Sequence, residues 1–165
     1  LKKRVQEINP HATIHAIPEI YSEESSASFH LEQYDYVIDA IDSLGHKAHL
    51  LTTAAQSNAI VFSSMGAALK INPQQIKVAE FWKVRGCKLA SALRERIRKG
   101  SGLHKPILCV YSEERLSNKG EEALPDANEN GSFHKAQTNG TMVQVTAVFG
   151  FTLSGLVIQD IVKNA

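Results

Sequence analysis

The sequence predicts an α/β fold: the later half of a doubly wound sheet, with added strands and a long apolar carboxy-terminal helix. Three observations carry this. YDYVIDAI (34–41) is rich in Tyr, Val and Ile and reads as a strand. Directly behind it, Leu44, Ala48, Leu51 and Ala55 recur at helical spacing, and AIVFSS (59–64) follows as a buried strand. Strand, helix and strand with short joints argue for a right-handed crossover, and hence for a parallel sheet covered by helices.

The remaining elements follow in chain order. LKKRVQEINP places Leu1, Val5 and Ile8 on one helical stripe, as the second half of an amphipathic helix that Pro10 stops. With no initiator Met and no signal-peptide pattern, the natural beginning of the chain is expected upstream of Leu1. ATIHAI (12–17) alternates like a short strand, and Ser22 followed by Glu23 and Glu24 reads as the start of a short helix to about Leu31. After Met65 the style changes: MGAALKINPQQ is a turn-rich loop and IKVAEFW a strand with one polar face. Gly86 precedes a helix from Lys88 to Lys99 with Leu89, Leu93 and Ile97 as its apolar stripe, and PILCVYS (106–112) is a further strand. Residues 113–140, rich in Glu, Asn, Gly and Ser, are too long for an ordinary connection and are expected to be a mobile loop. The last helix is expected from about Thr141 to Val162. The division is then one domain over 1–165, with 1–64 as the later strand–helix units and 65–165 as an extension.

Bulk properties limit the function classes. A chain of 165 residues fits a single domain able to bury roughly 70% of its unfolded surface, so a true core is available. Two cysteines, Cys87 and Cys109, can build neither a disulfide framework nor a four-thiolate zinc site, which points to the reducing cytoplasm and away from zinc. Residues 142–158, MVQVTAVFGFTLSGLVI, fall short of the ~20 apolar residues of a membrane span and are read as a buried core helix, with no stable span. No P-loop, GxGxxG or GxSxG element is present, and His46 and His49 stand only i, i+3 apart on one helix, so a metal centre is not expected.

Two features suggest chemistry. Asp39 and Asp42 interrupt the apolar run at the end of the first parallel strand. Ligands of open α/β sheets bind beyond the carboxyl ends of the strands, where helix amino termini offer N–H groups. Asp42 on that edge suits a magnesium ion held against nucleotide phosphates, while the alternative is that Asp42 or Ser43 caps the helix. Asp39, inside the strand, is read as a hydrogen-bonded structural acid. The second feature is charge: between Lys83 and Lys105, eight Lys or Arg face Glu95 alone, a local +7 that the net +1 conceals. Such a segment fits a polyanion such as RNA, although on the residues alone a solvated helix face is the favoured reading. Among the thiols, Cys109 in its apolar strand reads as inert, whereas Cys87 lies between Arg85 and Lys88 in an electropositive setting.

YDYVIDAIDSLGHKAHLL, taken with SSMGAALKINPQQIKV, LASALRERIRK and LCVYSEE, resembles the carboxy-terminal part of the MoeB/ThiF/HesA-type adenylating enzymes of the ubiquitin-activating superfamily, most closely the tRNA threonylcarbamoyladenosine dehydratases. The resemblance implies a Rossmann-like fold, ATP and Mg2+ as cofactors, and an ATP-dependent cyclisation of threonylcarbamoyladenosine through an acyl adenylate. It places Asp42, with Ile41 and Ser43, at the nucleotide and magnesium site, and it makes tRNA the partner of Arg94, Arg96, Arg98 and Lys99. It implies a homodimer, with Gly150 and Gly155 on the last helix suited to such packing. The family's glycine-rich loop and phosphate-gripping residues belong to a half that would precede Leu1, so this chain alone is expected to be inactive. The alternative is an activator of a ubiquitin-like sulfur-carrier protein. The missing CxxC pairs disfavour it, and FHKAQTNGTM holds no cysteine where some dehydratases carry one.

Overall fold

A computed structural model describes residues 1–118 and 139–164. Four strands, β1 (Tyr36–Asp39), β2 (Ile60–Ser64), β3 (Ile76–Glu80) and β4 (Leu108–Ser112), form one sheet in the order β1-β2-β4-β3. β1, β2 and β4 run parallel; β3 is antiparallel to β4. The helices are α1 (Lys2–Ile8), α2 (Leu44–Ala54), α3 (Lys88–Lys99) and α4 (Val143–Asn164). The mixed α/β architecture, the added strands and the apolar carboxy-terminal helix are those the sequence predicts.

The pleat sorts side chains onto two faces. Val37, Val61, Cys109 and Tyr111 point to a core shared with Ala48, Leu51 and Ala54 of α2 and Ala90, Leu93 and Ile97 of α3. On the other face Phe62 and Val110 meet Val145, Phe149 and Leu153, one stripe of α4 at four-residue spacing. Tyr36 stacks on Phe62 and donates its hydroxyl to Asp160 Oδ2 at 2.8 Å, tying α4 to β1. The expectation of a buried core helix thus holds for one stripe only. Phe151, Ile158 and Val162 stay exposed, although the 22-residue helix is long and apolar enough to cross a membrane by length and composition.

Two early elements differ from expectation. Residues 12–17 form no strand, having no neighbouring strand to pair with; alternation alone cannot supply one. The helix expected from Ser22 to Leu31 is replaced by two 3-10 turns, Ser26–Phe29 and Leu31–Gln33, joined by His30 in the left-handed region. The serines there bond back to local backbone, Ser25 to Ile20 O and Ser28 to Ser25 O, an alternative to the helical ladder. Of the loop expected over 113–140, residues 119–138 lie outside the described residues. Before it, Gly86 has φ +72 and its α-carbon faces Glu113 so closely that an added Cβ would come within 2.5 Å of that residue's Cα.

Candidate functional site

The sheet register builds the site. Asp39 is the last residue of β1 and pairs with Ser63 of β2, so both side chains share the face beneath α2. Ser63 Oγ donates to Asp39 Oδ2 at 2.5 Å, and Lys47 Nζ of α2 approaches the same oxygen at 2.5 Å. Asp39, Lys47 and Ser63 are all fully buried. Asp39 Oδ1 accepts from the Ile41 N–H at 3.0 Å; Lys47 Nζ also donates to Ile41 O at 3.0 Å and to Ser64 O at 2.7 Å. The ammonium therefore has partners for all three donors. The expectation that Asp39 is a hydrogen-bonded structural acid is met, and its partner is a lysine.

Asp42 follows in the 40–43 loop at the carboxyl edge of β1 and is exposed. Ser43 is the N-cap of α2 by backbone, its carbonyl accepting from Lys47 N at 2.9 Å, but its hydroxyl makes no cap hydrogen bond. Ile41 has both polar backbone groups engaged by Asp39 and Lys47 and lays its side chain against the core. Among the described residues no group of three or more His, Cys, Asp or Glu is placed to hold a metal. A single exposed carboxylate suits a hard cation whose other ligands are phosphate oxygens and water.

The basic segment does not present one face. Arg94 is half-buried and donates to Val84 O at 2.9 Å and Ser91 Oγ at 3.2 Å. Burial, then the nearby Arg85 and Arg98, lower its pKa. Arg98 lies over the Trp82 ring, 5.3 Å from its centroid. Arg96 instead lines a 320 Å³ hollow beside Gly45, His46 and Glu24, and Lys99 pairs with Glu95 at 2.7 Å. The structure gathers Arg85, Arg94 and Arg98 near Trp82 and turns Arg96 and Lys99 elsewhere.

Neither thiol is exposed. Burial pushes Cys109 up to about 12, and Cys87 is the N-cap of α3, its sulfur accepting from Ala90 N at 3.4 Å. Sequence reasoning missed Lys47 and Lys70. Lys70 Nζ is spent on Ser112 O and Glu114 O at the end of β4, and burial lowers its pKa. The signal for Lys47 was its place beside Ala48 on the core stripe of α2, three residues after Leu44.

In an open α/β sheet ligands bind beyond the carboxyl ends of the parallel strands, and here β1 ends there in a loop that carries Asp42 ahead of α2. The chain belongs to the ThiF family, whose model matches residues 1–164. It is 30% identical over 166 residues to the tRNA threonylcarbamoyladenosine dehydratase of Bacillus subtilis and 28% identical over 176 residues to that of Escherichia coli, covering 99% and 100% of this chain. A crystal structure of the Escherichia coli dehydratase in complex with ATP superposes with a TM-score of 0.80 at 27% identity, over 99% of this chain, and one in complex with AMP gives 0.78 at 26%. The chain spans 65% and 66% of the two relatives' lengths, and 62% of the chain solved with ATP.

Proposed function

We propose that the chain is part of an ATP-dependent tRNA threonylcarbamoyladenosine dehydratase acting in the cytoplasm. The observation that carries this reading is the exposed Asp42, held at the carboxyl edge of β1 in a fold that superposes over nearly its whole length on a dehydratase solved with ATP. In the reaction, a carboxylate oxygen of the threonylcarbamoyl group attacks the α-phosphorus of ATP and pyrophosphate leaves. The carbamoyl group then closes the ring on the activated carbonyl carbon and AMP leaves, a net loss of water. Adenylation is needed because a carboxylate oxygen is a poor leaving group.

Asp42 is the residue that would hold Mg2+, which supplies charge neutralisation at the phosphates when bound. Ser43 offers a hydroxyl beside it, Ile41 an apolar contact, and the amino terminus of α2 a favourable dipole for phosphate. tRNA is the partner of the basic segment, with Arg98 on Trp82 as its centre and Arg94 on the same side of α3, while Arg96 and Lys99 face away from that contact. A second copy of the protein is the partner for the exposed stripe of α4. The shielded thiols favour this reading over a sulfur-carrier activator that relays sulfur through a cysteine, since neither Cys87 nor Cys109 is accessible.

The test uses the intact protein. It consumes ATP only when tRNA bearing threonylcarbamoyladenosine is supplied, and tRNA from cells lacking the gene loses the cyclic nucleoside. Unchanged cyclic nucleoside in those cells refutes the reading; pyrophosphate exchange driven by a small protein ending in Gly-Gly replaces it with the sulfur-carrier activator.

A further inference from the structure

Asp39, Lys47 and Ser63 form a closed buried cluster whose contacts converge on one residue. The Ile41 N–H is held by Asp39 Oδ1 and the Ile41 carbonyl by Lys47 Nζ, while the same ammonium holds Ser64 O at the end of β2. The Ile41 carbonyl belongs to the peptide bond that leads into Asp42. No cis peptide occurs among the described residues, so turning this carbonyl onto the ammonium aims the Asp42 N–H the opposite way. The loop is thereby clamped on both sides of one residue, and that clamp hangs from a pair with no solvent access.

We infer that Lys47 and Asp39 are positioning residues for Asp42, setting the direction of its carboxylate at the sheet edge through the Ile41 peptide. The inference rests on the reading of Asp42 as the residue that meets magnesium nucleotide. A compact ammonium with three donors is suited to bind two carbonyls and a carboxylate at once, and neither a neutral side chain nor water carried into a dry site reproduces it. Partners one step removed from a metal typically govern affinity by 10–100-fold.

The experiment titrates equilibrium ATP binding by the intact protein with MgCl2 in the absence of tRNA, so that turnover does not contribute. Amide hydrogen exchange of residues 40–43 is followed alongside. Lys47→Met raises the Mg2+ midpoint by roughly 10-fold and speeds exchange in that segment. In an Asp42→Asn background it adds no further shift of the midpoint. Lys105→Met is the matched control, because Lys105 Nζ holds Ser57 O and Ala59 O at the opposite end of β2; it lowers Tm and leaves the midpoint in place. Should Lys47→Met fail to fold, Ser63→Ala removes one donor to Asp39, keeps the ion pair, and shifts the midpoint in the same direction by less. If Lys47→Met, or Ser63→Ala in its stead, lowers Tm but leaves the midpoint unchanged while Asp42→Asn moves it, the positioning role is overturned and the nucleotide reading stands. An Asp42→Asn protein with an unmoved midpoint overturns both.

Discussion

Replacing Lys47 by Met tests how much of the fold hangs on the buried pair. The substitution keeps most of the side-chain length and deletes the ammonium. Asp39 then loses its counter-charge at zero exposure, and two main-chain carbonyls, Ile41 O and Ser64 O, lose their donor. Breaking a buried pair from one side costs about 3–5 kcal/mol, most of it from the stranded charge. Removing both charges in Asp39→Leu/Lys47→Met eliminates the stranded carboxylate, and such double replacements are often near neutral. Here the Ile41 N–H, the Ser63 hydroxyl and the two carbonyls lose their partners at about 1 kcal/mol or more each, so the double variant remains destabilised by an amount comparable to the single one. Urea denaturation of the protein and both variants, read by circular dichroism, checks this. A loss below about 1 kcal/mol for Lys47→Met would mean that the pair is open to water and the described geometry is wrong.

Other outcomes follow from single sites. Cys109, raised from 9.0 to about 12, favours the folded state while it stays protonated; its contribution is complete below pH 9 and declines by about 1.4 kcal/mol per pH unit up to 12, so Cys109→Ala should flatten that stretch of the stability profile, and the thiol should resist alkylation at pH 8 until the protein unfolds. Gly86→Ala meets both a positive φ and the Glu113 backbone and should lower stability by about 2 kcal/mol or more, measured as a drop in denaturation midpoint. Arg98→Ala should weaken tRNA binding by the intact protein and reduce the magnitude of its salt slope by roughly 1, whereas Lys99→Ala, already paired with Glu95, should change little in a filter-binding titration. Phe151→Glu on the exposed stripe of α4 should shift a dimer toward monomer in sedimentation without loss of helix content.

The strands and major helices were legible because each combined a clear period with flanking punctuation. AIVFSS and PILCVYS begin and end within two residues of their strands, and Gly86 marks the approach to α3. Residues 12–31 were not legible: the deciding factors there were the lack of a pairing partner and local serine hydrogen bonds, neither encoded by alternation. For the site, the separation of Asp39 from Asp42 was readable, since one lies inside the strand and the other beyond it. The identity of the group holding Asp39 was not. Lys47 stands 8 residues later on the core stripe of α2, which signals burial but not a partner, and only the crossover from β1 to α2 brings it back over its own strand. The basic run was legible as charge but not as direction. Helical phase sets Arg94 and Arg98 on one side of α3, Arg98 over Trp82 and Arg94 on Val84 O, and sends Arg96 toward α2.

Three lysines spend their ammonium groups on main-chain carbonyls near the ends of strands, where the ladder stops and carbonyl oxygens would otherwise go unpaired. Lys105 does so at the amino end of β2 and Lys70 at the carboxyl end of β4, and burial lowers the pKa of both. A satisfied strand end therefore does not require a counter-ion. Lys47 alone among them has one, and among the described residues its pair with Asp39 is the only ion pair with both partners fully buried. The carboxylate is thus not explained by the need to finish β2. What it adds is a grip on the Ile41 N–H, which an ammonium cannot provide, so the pair holds the residue before Asp42 by donor and acceptor at once. The cost of burying that charge is offset at the strand end whose loop leads through Ile41 into Asp42.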